Sequence, residues 1–406
     1  MSGSTEAPAT LRGRSSAETR SAVLDLIRSS GAISRVDLAR RSALTEATIS
    51  KIVKELLSAG LIVQSGYAQS TGGKRPALLR LNGGGAHAVG LTLDFHRCVI
   101  VLCGADGTEL ARKEVQGTGD DELVVTVDRL AAEVDGLLQQ ERVDRASITG
   151  IGVATAGRRG SPVGGIEPSS FDGWESYPVE AELERRTGFP VVRENDANCA
   201  ALGEYWASQE PGRDFVAIYM SQGIGCGIVI NGAIYRGASG NAGEIGHTTV
   251  DPDGLPCWCG SRGCLETVAS PRSIVRAALA ERGLRARLGV DDGTPPDRVY
   301  GRFLGLVADG DEQAGAILGR AAEHFAAAVV ALVNTFDLDL VVLAGAGFAG
   351  AGEAFLTAAR TRVEQTAFMR ELHPITVRLA AVGSETAALG AASVVLHRHL
   401  TPHRTG

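Results

Sequence analysis

Residues 240–266 read GNAGEIGHTTVDPDGLPCWCGSRGCLE and gather four metal donors, His247, Cys257, Cys259 and Cys264, between two carboxylates, Glu244 and Glu266. Three thiolates and an imidazole form a closed tetrahedral set, and that donor mixture suits zinc better than a hard cation. The alternative is three small core residues, because free cysteine is commonly just buried. The spacing argues for the metal: Cys-x-Cys-Gly-x-x-Gly-Cys puts glycines where a chain must fold tightly around an ion. Four protein ligands leave no position for a metal-bound water, so the expected zinc is structural.

Around this segment lies a chain of 406 residues, too long for one ordinary core and sized for two or three domains. A 44% hydrophobic content with 52 glycines excludes a disordered chain and fits a globular α/β protein with many strand-to-helix turns. No apolar run approaches the roughly 20 residues that span a bilayer, so no membrane partner is expected. Residues 1–17 combine arginine with small polar residues and lack an apolar centre, which predicts a flexible tail rather than a secretion signal. Seven cysteines, an odd number of which three cluster as ligands, favour a reducing cytoplasm over a disulfide framework. Residues 1–82 hold twelve Lys/Arg against six Asp/Glu, a balance of +6, which leaves −13 for the remainder of a chain with net charge −7. A basic head on an acidic body points to a polyanion partner for the head alone.

Residues 18–82 carry that head. Val23, Leu24 and Ile27 recur at helical spacing and Gly31 stops the first helix; Ser34 can cap a second. Thr45 can cap a third, Glu46 to Ser58, with Ile49, Ile52, Val53, Leu56 and Leu57 on its buried face. This is the helix-turn-helix plan, in which the last helix enters the major groove of double-stranded DNA. Thr48, Ser50, Lys51 and Lys54 on its exposed face, with Thr45 at its start, are suited to phosphates and base edges. Two strands at 61–63 and 77–81 would form a wing with Lys74 and Arg75 at its tip. A small protein-interaction module would show the same periodicity, but helix, wing and local charge agree on DNA. One such module buries little surface, so useful specificity implies a dimer reading two half-sites.

In the body, apolar segments at 88–103, 148–154, 191–193, 215–220 and 340–344 alternate with helical stretches near 123–139 and 317–335, which predicts a mixed sheet covered on both faces. Asn195 and Asp196 follow a strand and precede a helix, the edge at which open α/β sheets bind ligands. There Asp196 could accept a proton from a sugar hydroxyl while Asn195 bonds its neighbour, or the pair could simply cap the helix. Ser221 to Gly227 is a glycine loop after a strand, able to face a phosphate or to serve as a plain hairpin.

From about residue 18 onward the sequence resembles the ROK family of bacterial sugar kinases and sugar-responsive repressors. The resemblance rests on GIGVATAG at 150–157, GFPVVRENDANCAALGEYW at 188–206, QGIGCGIVINGAIYRGASGNAGEIGH at 222–247 and CWCGSRGCLE at 257–266. It implies an actin-like, hexokinase-like (ribonuclease H-like) α/β fold in two lobes, about 86–198 with the C-terminal helix and about 199–385, within a domain at 86–400. A sugar would lie in the cleft. By the same resemblance Asn195, Asp196, Glu244, His247 and Glu266 would contact sugar hydroxyls, and Asp196 would stand at the catalytic-base position of the kinases. His247, Cys257, Cys259 and Cys264 would bind zinc.

The kinases of the family carry Asp-x-Gly-Gly-Thr in the first hairpin, where this chain has Asp94-Phe95-His96-Arg97-Cys98. Both glycines and the threonine are gone, so side chains fill space that phosphates would need. The expectation is a non-catalytic transcriptional regulator, a homodimer or tetramer in the bacterial cytoplasm, whose operator affinity is set by a sugar or sugar derivative. The alternative is an ATP-dependent sugar kinase with a DNA-binding head.

Overall fold

The computed structural model describes residues 15–67, 75–94, 97–119, 121–157, 177–207, 213–291, 293–381 and 383–400. The expected tail therefore lies outside the described residues up to position 14. Helix α1 (Ser16–Ser30) begins two residues before residue 18, the expected start of the head, because the Ser15 and Glu18 side chains and amides bond each other reciprocally. A two-residue strand, β1 (Ile33–Ser34), precedes α2 (Arg35–Ser42), which Ser34 caps, and α3 (Glu46–Ser58), which Thr45 caps. Strands β2 (Ile62–Tyr67) and β3 (Ala77–Leu81) complete a three-stranded sheet in the order β1-β3-β2. The expected Lys74 contact lies outside the described residues, and Arg75 beside it is exposed.

The body holds two five-stranded sheets where strand alternation alone suggested one. In the first, β4 (His87–Leu93), β5 (Arg97–Gly104) and β6 (Glu109–Gln116) form an antiparallel meander. Helix α4 (Leu123–Gln140) then leads to β7 (Ile148–Thr155), and α5 (Val179–Thr187) to β8 (Val191–Asn195), both strands parallel to β4. Helix α6 (Asp196–Ala207) crosses to the second sheet. There β9 (Phe215–Met220), β10 (Ile224–Ile230) and β11 (Ala233–Ile234) form another meander. Five helices follow: α7 (Leu265–Ala269), α8 (Pro271–Ala280), α9 (Arg282–Leu288), α10 (Pro296–Ala308) and α11 (Glu312–Phe336). They return the chain to β12 (Leu340–Ala344), α12 (Gly352–Thr366) and β13 (Thr376–Leu379), and α13 (Thr386–Leu400) closes the fold. The sheet orders, β6-β5-β4-β7-β8 and β11-β10-β9-β12-β13, are the same plan used twice. A strand pattern cannot show this, since it gives element type and not pairing.

Against the expectation that no apolar run reaches membrane-spanning length, helix α11 is long and apolar enough to cross a membrane by length and composition. Its Ile317, Ala321, Phe325, Val329 and Val333 stripe packs into the core of the second lobe against α12, which accounts for that apolarity. Helices α6 and α13 pack on each other between the sheets, with α13 on β4 and β7 and α6 on β9 and β10. Close approach requires glycine: a Cβ at Gly90 or Gly152 would lie 1.9 Å from the carbonyl oxygen of Ala388 or Ala391 in α13. Gly152→Ala is expected to destabilise the chain by about 1–3 kcal/mol through overpacking. Gly136→Ala, in α4 with nothing within 4 Å of the added carbon, is expected to stabilise it by about 0.5–1 kcal/mol. Urea midpoints of the two variants measure the contrast.

Candidate functional site

The loop from β11 to α7 folds back on itself through isolated bridges at Thr249–Cys264 and Pro256–Arg262. Cys257 N donates to Ser261 O at 2.8 Å and Gly260 N to Cys257 O at 3.1 Å, a turn that presents Cys257 and Cys259 together. Gly263 has φ of 62°, and a Cβ there would meet Asp251 O at 1.5 Å, so only glycine lets the strand before Cys264 close. One donor atom from each of His247, Cys257, Cys259 and Cys264 lies within 4.8 Å of all the others. The Cys259–Cys264 Sγ pair and the Cys257 Sγ–His247 Nδ1 pair are both 3.6 Å apart. Metal–sulfur bonds of about 2.3 Å and metal–nitrogen bonds of about 2.0 Å give tetrahedral edges of about 3.5–3.8 Å, which these two pairs match, so the set could hold one cation. Burial raises the Cys257 and Cys264 thiols, a cost that a bound cation removes.

The cluster faces a group of carboxylates. His247 turns Nδ1 towards Cys257, leaving Nε2 on the far side of a ring that meets Trp258 edge to face at 4.5 Å. Trp258 Nε1 donates to Glu266 Oε1 at 3.1 Å, and Ile224 N, just past the tip of the β9–β10 hairpin, donates to Glu266 Oε2 at 3.2 Å. Glu244 is tied to the loop by His247 N, which donates to its carbonyl at 3.1 Å. Across from it, Asn195 ends β8 and its Oδ1 accepts from Asn198 N at 3.1 Å, while Asp196 Oδ1 accepts from Ala197 N at 2.8 Å. The capping alternative therefore describes one oxygen of Asn195, which keeps its amide nitrogen for other partners, whereas the Asp196 bond to the next amide is not a cap. Burial pushes the Asp196 carboxyl up to about 6; Glu244 and Asp94 add repulsion, and the Ala197 amide offsets part of the rise.

Three residues outside the expected set of sugar contacts complete the cleft. Glu194, 1% exposed, accepts from Asn195 N at 3.0 Å and Asn198 Nδ2 at 3.2 Å, and pairs at 2.6 Å with Arg236 beyond β11. A buried glutamate beside the two polar site residues thus joins the lobes. Tyr219 on β9 lies near Asp196, Asp94 and Glu385; burial first, then those charges, hold its phenol well above the usual range. Trp258, between two metal-donor cysteines, had a positional signal; the others are visible only through tertiary contacts.

At the β4–β5 turn, Phe95 and His96 lie outside the described residues. Arg97 is not offered to a phosphate: it pairs with Glu385 at 2.9 Å, whose side chain is 5% exposed, and with Glu114 at 3.1 Å. The loop at the matching hairpin of the second sheet is only Ser221 to Gly223, closed by Ser221 N donating to Gly223 O at 3.1 Å, because Ile224 already begins β10.

On the head, Ser50, Lys51 and Lys54 project from the exposed face of α3, and Thr45 is exposed at its start. Thr48 is half-buried, its hydroxyl 2.8 Å from that of Thr45 and its amide bonded to the same oxygen at 3.2 Å, so both threonines serve the cap. Arg35 and Arg40 on α2 add exposed positive charge that the motif reading passed over.

The raised Asp196 value has a pH signature. Between about pH 4 and about pH 6 the folded chain keeps a proton that the unfolded chain has released. The contribution to stability is thus complete below about 4 and lost as pH rises through about 6. Relative to its parent, Asp196→Asn is expected to gain stability across that window and to level off above it; a pH-independent difference in urea midpoints would contradict the assignment.

Residues 88–398 match the ROK family model, and residues 17–63 match a winged helix-turn-helix DNA-binding model. The chain is 29% identical over 386 residues to the xylose repressor of Caldicellulosiruptor bescii, covering 92% of this chain and 94% of that protein. A solved ROK family transcriptional regulator, described as a homologue of the Escherichia coli MLC protein, superposes with a TM-score of 0.69 at 24% identity, covering 95% and 98% of the two chains. The ROK family glucokinase of Streptomyces griseus, solved with glucose and AMPPNP, superposes at 0.61 with 28% identity, covering 76% of this chain and 99% of that one. The body keeps the two-lobed fold shared by these regulators and kinases, and the head supplies a DNA-binding domain: the chain belongs to the ROK family, and its architecture is that of a sugar-responsive transcriptional repressor.

Proposed function

We propose that a sugar or sugar derivative binds between Asn195 and Asp196 on one side and Glu244, His247 and Glu266 on the other, and that its binding alters the affinity of the head for operator DNA. The observation that carries this reading is the juxtaposition of carboxylates, an amide and an imidazole in one cleft, the donors and acceptors a polyol needs. Zinc held by His247, Cys257, Cys259 and Cys264 orders the wall that carries three of the five contacts, so metal and sugar share His247 through opposite ring nitrogens. The protein acts on DNA in the cytoplasm as a homodimer, two heads reading two half-sites, with a tetramer as the next closed assembly.

The kinase alternative draws on Asp196, whose raised carboxyl would suit a general base, and on the glucokinase neighbour. Against it stands Arg97, neutralised by Glu385 and Glu114 at the hairpin where the kinases hold phosphate through glycines. Phosphoryl transfer depends on positioning the donor and stabilising its charge, and a base alone supplies neither.

Thermal-shift screening of hexoses, pentoses, amino sugars and their phosphates is expected to find a ligand that raises Tm. Asp196→Asn is expected to lose that shift; a variant that binds the same sugar unchanged would remove Asp196 from the site. Phosphorylation of any panel sugar with Mg-ATP at an ordinary enzymatic rate would establish the kinase instead. For the head, the salt dependence of binding to duplex DNA of arbitrary sequence should lose about one unit of slope in Lys51→Ala and again in Lys54→Ala. An unchanged slope would take those lysines off the phosphate backbone.

A further inference from the structure

Helix α6 has the candidate sugar contacts at one end and the DNA-binding head at the other. Its twelve residues span about 18 Å at 1.5 Å per residue. At the N-terminus stand Asn195 and Asp196. At the C-terminus, Arg28 of α1 inserts a guanidinium that is 4% exposed and donates through Nη1 to the carbonyls of Tyr205 at 2.9 Å and Trp206 at 3.1 Å. Those carbonyls belong to the last turn of α6, where a cation complements the helix dipole. The same guanidinium lies 4.4 Å from the Tyr205 ring centroid and 5.4 Å from that of Trp206, within cation–π range of both. Asp25 holds Arg28 at 2.9 Å and also accepts from the Tyr205 hydroxyl. Around this clasp, Val23 and Ile27 of α1 share one buried cluster with Trp206, Phe215 and Val342 of the body.

The covalent route between head and body is a separate short turn. Residues 82–86 read Asn-Gly-Gly-Gly-Ala, closed by Gly85 N donating to Asn82 O at 3.0 Å and tied to the head by Asn82 Nδ2 donating to Gly60 O at 2.8 Å. Ala105 N donates to Ala86 O at 2.9 Å and fixes that turn to the body between β5 and β6, whereas α6 runs from the candidate sugar contacts to the head as one hydrogen-bonded helix, which moves as a unit.

We propose that α6 is the rod coupling the cleft to the DNA-binding head and that Arg28, clasped over Tyr205 and Trp206, is the residue that transmits its movement. This rests on the reading of the cleft as a sugar site for its biological meaning, but the coupling is a property of the chain alone. Any event that shifts or orders the N-terminus of α6 changes the position or stability of α1, and loss of the clasp leaves the head attached but unresponsive.

The test is amide hydrogen exchange on the full-length chain, without sugar or DNA, read at Val23 to Ile27 of α1. Asn195→Ala removes the side-chain cap of α6 far from the head. With Arg28 present it should speed α1 exchange by about two-fold or more, the lower end of the coupling that packed networks carry between distant sites. In an Arg28→Met background the same change should leave α1 exchange where Arg28→Met alone puts it. Should Arg28→Met unfold the head, Tyr205→Phe, which keeps the ring but drops the bond to Asp25, should still reduce the response to Asn195→Ala. An α1 rate indifferent to Asn195→Ala, or equally responsive whether or not the clasp is intact, overturns the proposal. Because no sugar enters, a chain that binds none of the panel sugars can still pass or fail.

Discussion

Four donor atoms, three thiols and an imidazole, are drawn within 4.8 Å of one another in one wall of the cleft. The loop that carries them has little regular structure of its own: a short 3₁₀ turn at Ile245–His247, two isolated bridges and a set of tight turns. Backbone bonds close its turns, among them Cys257 N to Ser261 O at 2.8 Å and Leu265 N to Thr248 O at 2.9 Å, and a bound metal would crosslink those turns at one point. Glu244 and Glu266 lie three residues before His247 and two after Cys264. Whatever fixes the ligands therefore fixes the carboxylates, and Trp258 adds a direct strut from the His247 ring to Glu266.

The opposite wall depends on packing. Asn195 and Asp196 stand where a parallel strand hands over to α6, and that helix lies between two sheets at glycine-permitted distances. Close-packed helices respond to a perturbation by shifting as bodies rather than deforming locally. The Glu194–Arg236 pair crosses between the lobes beside Asn195, so the cleft has an ionic tie of its own. With the head clasped to the far end of α6, cleft and DNA surface are two ends of one mechanical path.

Much of this was legible in the sequence for a physical reason: local signals survive without tertiary context. Cap residues Ser34 and Thr45, the 3.6-residue stripe of α3 and the Cys-x-Cys spacing all act within a few residues, and the structure places them as expected. What escaped was long-range. Arg28 meets Tyr205 across 177 positions and Arg97 meets Glu385 across 288, and no periodicity marks either pair. The division into two sheets of identical order is likewise a matter of pairing, which the alternation of strands and helices leaves open. At the β4–β5 turn, likewise, nothing in the sequence shows that Arg97 is neutralised by a buried glutamate.

The most direct measurement is sugar affinity as a function of the metal. Titration calorimetry would use the panel sugar giving the largest thermal shift, on the zinc-loaded chain and on Cys259→Ser, with bound zinc quantified in both. The account predicts about one zinc per chain in the parent, and a loss of about ten-fold or more in affinity when the metal is lost, equivalent to about 1.4 kcal/mol of positioning. Equal affinity with and without zinc would contradict it, leaving the cluster as a structural knot with no part in ordering the cleft.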